Sequence, residues 1–200
     1  SGPCTVAAIA LVGNWFVDCD PFEITGPAVL GGTTVFRGGV RVAPAGGLAI
    51  DEGFCPPVTA TPVGPGAVVL LRGGDFVVDA GAEVVMCATT LFLPASSSLR
   101  ADPSATGVLR WWAPPTGAFS DLLLWHEGPM IEIGDRSSLV LEGVVAAPAA
   151  HAHLNTGPNP TSTVNTQFFV ESLEVVSGAW VVNPDPGRAV PTALGVRLIR

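Results

Sequence analysis

The chain has 200 residues, 48% of them hydrophobic and 13% charged, with 24 Gly, 19 Pro and a net charge of −8. That is about one domain of sequence, too apolar for disorder and too rich in helix breakers for a helical bundle. Nine arginines with no lysine, in an acidic chain, lack the clustered cations that nucleic acid requires, and no apolar run reaches the length of a membrane span.

In chain order, residues 1–20 read as an N-terminal cap carrying Cys4 and Cys19. Short strands then fill about 20–183 as a single domain, and 184–200 is a tail. Three segments align without a gap: Val40-Arg41-Val42 and Leu48-Ala49-Ile50; Phe76-Val77-Val78 and Val84-Val85-Met86; Ile131-Glu132-Ile133 and Leu139-Val140-Leu141. In each, the same short spacer of small or turn-forming residues separates the two halves, and alternation puts the first and third residue of every triplet on one face. Two units follow the same tripeptide, Arg37-Gly38-Gly39 and Arg72-Gly73-Gly74. Weaker copies carry Leu91, Leu93, Leu99 and Ala101; Val144, Ala146, Ala152 and Leu154; and Leu173, Val175 and Val181.

One such strand–corner–strand cannot bury its apolar face alone, whereas stacked copies can. Neither Asn-Gly nor Asp-Gly, the dipeptides of tight hairpins, occurs in the chain. The expected fold is therefore all-β, a right-handed parallel β-helix (β-solenoid), with a β-sandwich as the alternative. Pro/Gly-rich stretches at 56–66, 113–117, 146–160 and 184–191 read as loops projecting from the coils. Cys4, Cys19, Cys55 and Cys87 show no metal-ligand spacing, and their even number points to two disulfides in an oxidising compartment. Matching positions after the first two units suggest Cys55–Cys87, with Cys4–Cys19 as the other pair.

Catalysis on polysaccharides would need converging carboxylates. The candidate pairs are Asp18 with Asp20, Asp75 with Asp79, and Glu132 with Asp135; Ala43 and Gly134 in neighbouring units break any acidic column. His151-Ala152-His153 reads as two exposed loop histidines, without a carboxylate or cysteine beside them, and His126 is distant. No cofactor or metal is expected. Trp111-Trp112, in a stretch with Pro103, Pro114 and Pro115, reads as a protruding loop: Trp111 packs inward and Trp112, beside Arg110, faces a partner protein or glycan. Trp15, Trp125 and Trp180 read as core or end-cap residues.

The phrase from Val68 to Met86, with Arg72-Gly73-Gly74 and Gly81-Ala82 between its strands, resembles the repeats of secreted bacterial tight-adherence (Tad) pilus-associated proteins of the TadG type. Leu122-Leu123-Leu124-Trp125, Leu141 to Pro148, and Phe168 to Gly178 follow in a similar order. The resemblance implies a non-enzymatic extracellular or cell-surface module for attachment or pilus assembly, with a protein or surface-glycan partner and room for self-association into an oligomer or polymer. A carbohydrate-active or carbohydrate-binding β-helix is the alternative.

Overall fold

A computed structural model describes residues 2–51, 66–102, 107–134, 138–155 and 163–177. Sixteen strands form one sheet: β1 (Cys4–Val6), β2 (Ile9–Val17), β3 (Phe22–Ile24), β4 (Pro27–Phe36), β5 (Val40–Val42), β6 (Gly47–Ile50), β7 (Ala67–Leu71) and β8 (Phe76–Val78) in the first half. The second half adds β9 (Glu83–Met86), β10 (Thr89–Leu93), β11 (Ser98–Ala101), β12 (Val108–Trp112), β13 (Leu122–His126), β14 (Met130–Ile133), β15 (Ser138–Asn155) and β16 (Thr163–Ser177). The fold is all-β, with no helix among the described residues. The pairings are parallel from end to end, which excludes the hairpin-built sandwich for these strands.

The registers sort the strands into three ladders. In the first, Cys4, Phe22, Val40, Phe76, Leu99, Ile131, Ala152 and Leu173 follow one another. In the second, Leu11, Leu30, Ile50, Met86, Trp111, Leu141 and Val164 do so. The third aligns Trp15, Thr34, Val69, Leu91, Leu124, Val145 and Phe168. The chain visits the ladders in the same order on each pass. Alternate side chains from all three enter a single apolar cluster, as the period of two requires.

All twelve inward positions of the three strong repeats are buried in that cluster: Val40, Val42, Leu48, Ile50, Phe76, Val78, Val84, Met86, Ile131, Ile133, Leu139 and Leu141. The Gly-Gly tripeptides mark the corner into the first ladder. A methyl on Gly39 would come within 2.8 Å of the Asp75 carbonyl, and one on Gly74, at φ +67, would overlap Gly39. Successive passes touch backbone to backbone there, and only glycine leaves the room.

Several expectations need correction. Within the expected N-terminal cap, β1 and β2 pair in parallel with β3 and β4 and form a full first pass. Its connection from Val6 to Ile9 is shorter than the repeated spacer, so alignment on that spacer passes over it. The copy at Val144 and Ala146 is out of phase by one residue. Gly143, at φ +145, and a register shift opposite Leu122/Leu124 turn Val145 and Ala147 inward instead. The 146–160 loop is strand as far as Asn155, so His151 and His153 lie on β15 rather than in a loop. Leu173 and Val175 keep the inward phase yet are exposed, because they stand on the last described strand. Cys4–Cys19 is a disulfide with Cα atoms 5.6 Å apart, closing the first pass. Such a link across 15 residues contributes about 3 kcal/mol in the chain-entropy account. Cys87 is also disulfide-bonded; Cys55, its expected partner, lies outside the described residues, as do Asp135, Trp180 and Val181.

Candidate functional site

Trp111 and Trp112 end β12, which runs between β9 and β15 as a regular member of the second ladder rather than as a protruding loop. Trp111 is 2% exposed, and its Nε1–H donates to the Thr89 carbonyl at 2.8 Å, so the indole is both packed and hydrogen-bonded. Trp112 points to the other face but is half-buried, opposite Glu142. Arg110 is exposed on that face, and its guanidinium Nε–H donates to Ser138 Oγ at 3.2 Å. The two do not make a free indole platform of the kind expected.

The described candidate carboxylates are each engaged by a neighbouring pass. Asp79 accepts from Arg41 at 2.7 Å, and this bond together with the Asp79 charge raises the guanidinium pKa further. Asp75 accepts from the Ser98 backbone N–H at 2.7 Å, Asp18 pairs with Arg37 at 2.9 Å, and Glu132 pairs with Arg100 at 3.3 Å. Asp20 accepts from Gly39 N–H. His151 shares a short contact with Ser172 Oγ and lies 3.7 Å from Glu171, whereas His153 stands between Glu132 and Glu174 on the first ladder's outer face. Among the described residues no three His, Cys, Asp or Glu side chains gather into a metal-holding group.

His126 has a role that alternation alone does not reveal. It aligns with Leu93 at an inward position of the third ladder and is fully buried. Burial pushes its pKa below 6.5. The Gly128 backbone N–H donates to Nδ1 at 3.4 Å, and Nε2 lies 3.1 Å from the Met130 carbonyl. That set of partners suits the neutral ring with its proton on Nε2. A side chain on Gly128 would collide with the imidazole at Cε1, 2.6 Å away, which explains the His-x-Gly spacing.

The outer faces of the ladders differ sharply. The first carries Thr5, Glu23, Arg41, Val77, Arg100, Glu132, His153 and Glu174 in register. On the third, the row of Phe16, Val35, Leu70, Phe92, Trp125, Ala146 and Phe169 holds no polar side chain, while the outward positions two residues earlier include Asn14, Thr33, Thr90 and Gln167. At strand spacings near 4.8 Å this stripe is about 29 Å long. Phe119, from the turn before β13, extends it: its ring meets Phe92 edge-on, with centroids 5.0 Å apart. Phe16, Phe119 and Phe169 are exposed, while Val35, Leu70, Phe92 and Trp125 are half-buried. This flank is the candidate interaction surface. Its residues fall at irregular distances along the chain, so repeat alignment misses it. The signal that betrays it is local: unbroken apolar triplets such as Trp15-Phe16-Val17, Val69-Leu70-Leu71 and Leu91-Phe92-Leu93, where a half-solvated strand would alternate.

No family model, curated protein or solved structure matches the chain. No helix among the described residues is long and apolar enough to cross a membrane.

Proposed function

We propose that the passes wind as a right-handed parallel β-helix, and that the resulting rod is a non-enzymatic structural or adhesive module of the cell surface, in the manner of the tight-adherence pilus-associated proteins it resembles. The winding is supported by the constant ladder order and the parallel pairings, and right-handed crossovers are the rule between parallel strands. The two disulfide-bonded cysteines of the first pass and Cys87 suit an oxidising, extracellular setting. The observation that carries the adhesive reading is the apolar flank from Phe16 to Phe169, a surface too long and too apolar to serve solubility. Trp112 and Arg110, on the second ladder, supply a secondary contact for the same protein or glycan partner.

A second reading, a carbohydrate-binding β-helix, draws on the neighbouring rings of Phe92, Phe119 and Trp125, which could stack against sugars. The experiment is retention of the purified chain on bacterial cells and on a glycan array, beside Leu70→Glu and Phe92→Glu. Both sites face outward, so melting should be preserved while retention falls about tenfold or more. Parent-like retention by both variants would remove the flank from the function. Sugar release from a polysaccharide panel, abolished by Asp75→Ala, would replace the adhesive reading with an enzyme.

A further inference from the structure

We infer that the apolar flank takes a single chain of an uncharged polysaccharide, laid lengthwise along the stacked passes, with Phe92, Phe119 and Trp125 as the rings against which its sugars stack. This rests on the flank reading above and names the occupant of that surface.

The site centres on β10 and β13, interior strands whose neighbours in register, β7 and β15, are described on either side. Phe92 and Trp125 are adjacent outward residues of the third ladder. Phe119 is 40% exposed and sets its ring edge-on against Phe92. The Trp125 Nε1–H donates to Glu127 at 3.4 Å, which ties the polar edge of the indole to one side of the row.

The width of the row and its borders decide what fits. Outward positions on a strand recur every second residue, about 7 Å apart, so the apolar row is one side chain wide. With a length of about 29 Å it covers roughly 200 Å² in plan, about a quarter of the 800 Å² that each partner contributes to a specific protein–protein interface. A long, narrow row suits a polymer one sugar wide. Polar residues border it on both sides. Asn14, Thr33 and Gln167 stand two residues before it, and Arg37, Arg72 and Glu127 two residues after it. Arg72 and Glu127 are exposed. A sugar ring matches that cross-section: its apolar C–H face lies on an aromatic ring, and the hydroxyls around its rim bond to amide, guanidinium and carboxylate groups. A lipid or an apolar protein surface would gain nothing from those borders. The net charge of −8 and the absence of lysine disfavour a polyanion, so the polymer is an uncharged one.

The test is affinity electrophoresis of the full chain in gels containing hydroxyethyl cellulose, galactomannan, pullulan or dextran, with alginate as the charged control, beside Phe92→Leu and Trp125→Leu. Both substitutions keep the row apolar and remove a ring. At least one neutral polymer should retard the parent while alginate does not, and each Leu variant should bind that polymer about tenfold more weakly. If Phe92→Leu lowers the melting temperature, Phe119→Leu, exposed at the same ring pair, takes its place. Parent-like retardation of the Leu variants overturns the proposal, because apolarity alone would then suffice. Retardation by alginate alone, or by none of the polymers, overturns it as well. If a parent that binds no polymer is still held by cells and released by Leu70→Glu, the adhesive flank stands with a protein partner and only the polysaccharide is lost. Ring-dependent binding of a polymer, with parent-like cell retention by the Glu variants, would instead remove the adhesive role and leave the polysaccharide site.

Discussion

The outer faces of the first and third ladders rise from one apolar interior and are built on the same parallel backbone, yet they present opposite chemistry. Along the first, Arg41 lies between Glu23 and Asp79, and Arg100 pairs with Glu132, so successive passes are joined by charge. These pairs are exposed, and each contributes little to stability, of the order of 0–1 kcal/mol. What they add is register: a slip of one residue would bring these charges against the apolar core. Along the third, Phe16 to Phe169 form no polar contact between passes and leave apolar surface at the solvent. The interior alone is enough to hold a ladder together, and the outside of each ladder is free to vary. A flank left apolar where charge was affordable is therefore informative about use.

The largest effect is expected where the two faces of one strand are set against each other. On β14, Ile133→Asp should abolish cooperative folding, because it places an unpaired charge in the buried column; Glu132→Ala, one residue away on the charged face, should cost less than about 1 kcal/mol. Circular dichroism melts of the two variants decide it, and similar melting temperatures would mean that the inner and outer faces are misassigned. The same contrast on the second ladder is smaller. Trp111→Ala should cost about 3–5 kcal/mol through lost packing and the lost bond to Thr89, and half-buried Trp112→Ala should cost clearly less. Urea unfolding measures both, and the reverse ranking would break the phase of β12.

The smallest effect belongs to His126, the buried ring within the third ladder. Its pKa is lowered in the folded chain by burial, so between that value and 6.5 the unfolded chain binds more protons than the folded one. Its contribution is thus fully present above pH 6.5 and is lost as the pH falls through that window. Asp51 acts in the opposite sense, because burial raises its pKa above 3.8 and its contribution fades as the pH rises through that range. The comparison is therefore His126→Phe against the parent, with unfolding free energy measured from pH 7.5 downward. The variant should show a flatter profile near pH 6, and parallel profiles would show that His126 does not titrate with unfolding.

Much of the interior was legible without coordinates. Alternation around Val40, Phe76 and Ile131 identified twelve buried positions, because a period of two is imposed by the strand itself wherever spacers keep equal length. The expectation that Trp111 packs inward agrees with its burial, whereas Trp112 is half-buried rather than free. Where connections lengthen or shorten, local periodicity no longer fixes the phase: a short connection hides the first pass, the kink at Gly143 moves the inward phase from Val144 to Val145 and Ala147, and the Pro-containing stretch from 146 runs as strand to Asn155.

The candidate surface was barely legible at all. An all-β chain, its strong repeats and their inward residues follow from local periodicity and the need to bury apolar side chains. That Phe16, Leu70, Phe92, Trp125 and Phe169 form one stripe, that Arg41 meets Asp79, and that His126 lies in the core depend on how the passes stack. Neighbours across a parallel ladder are separated in sequence by a whole pass of variable length. Which outward side chains share a flank is therefore set by register between passes, a quantity that no local pattern encodes.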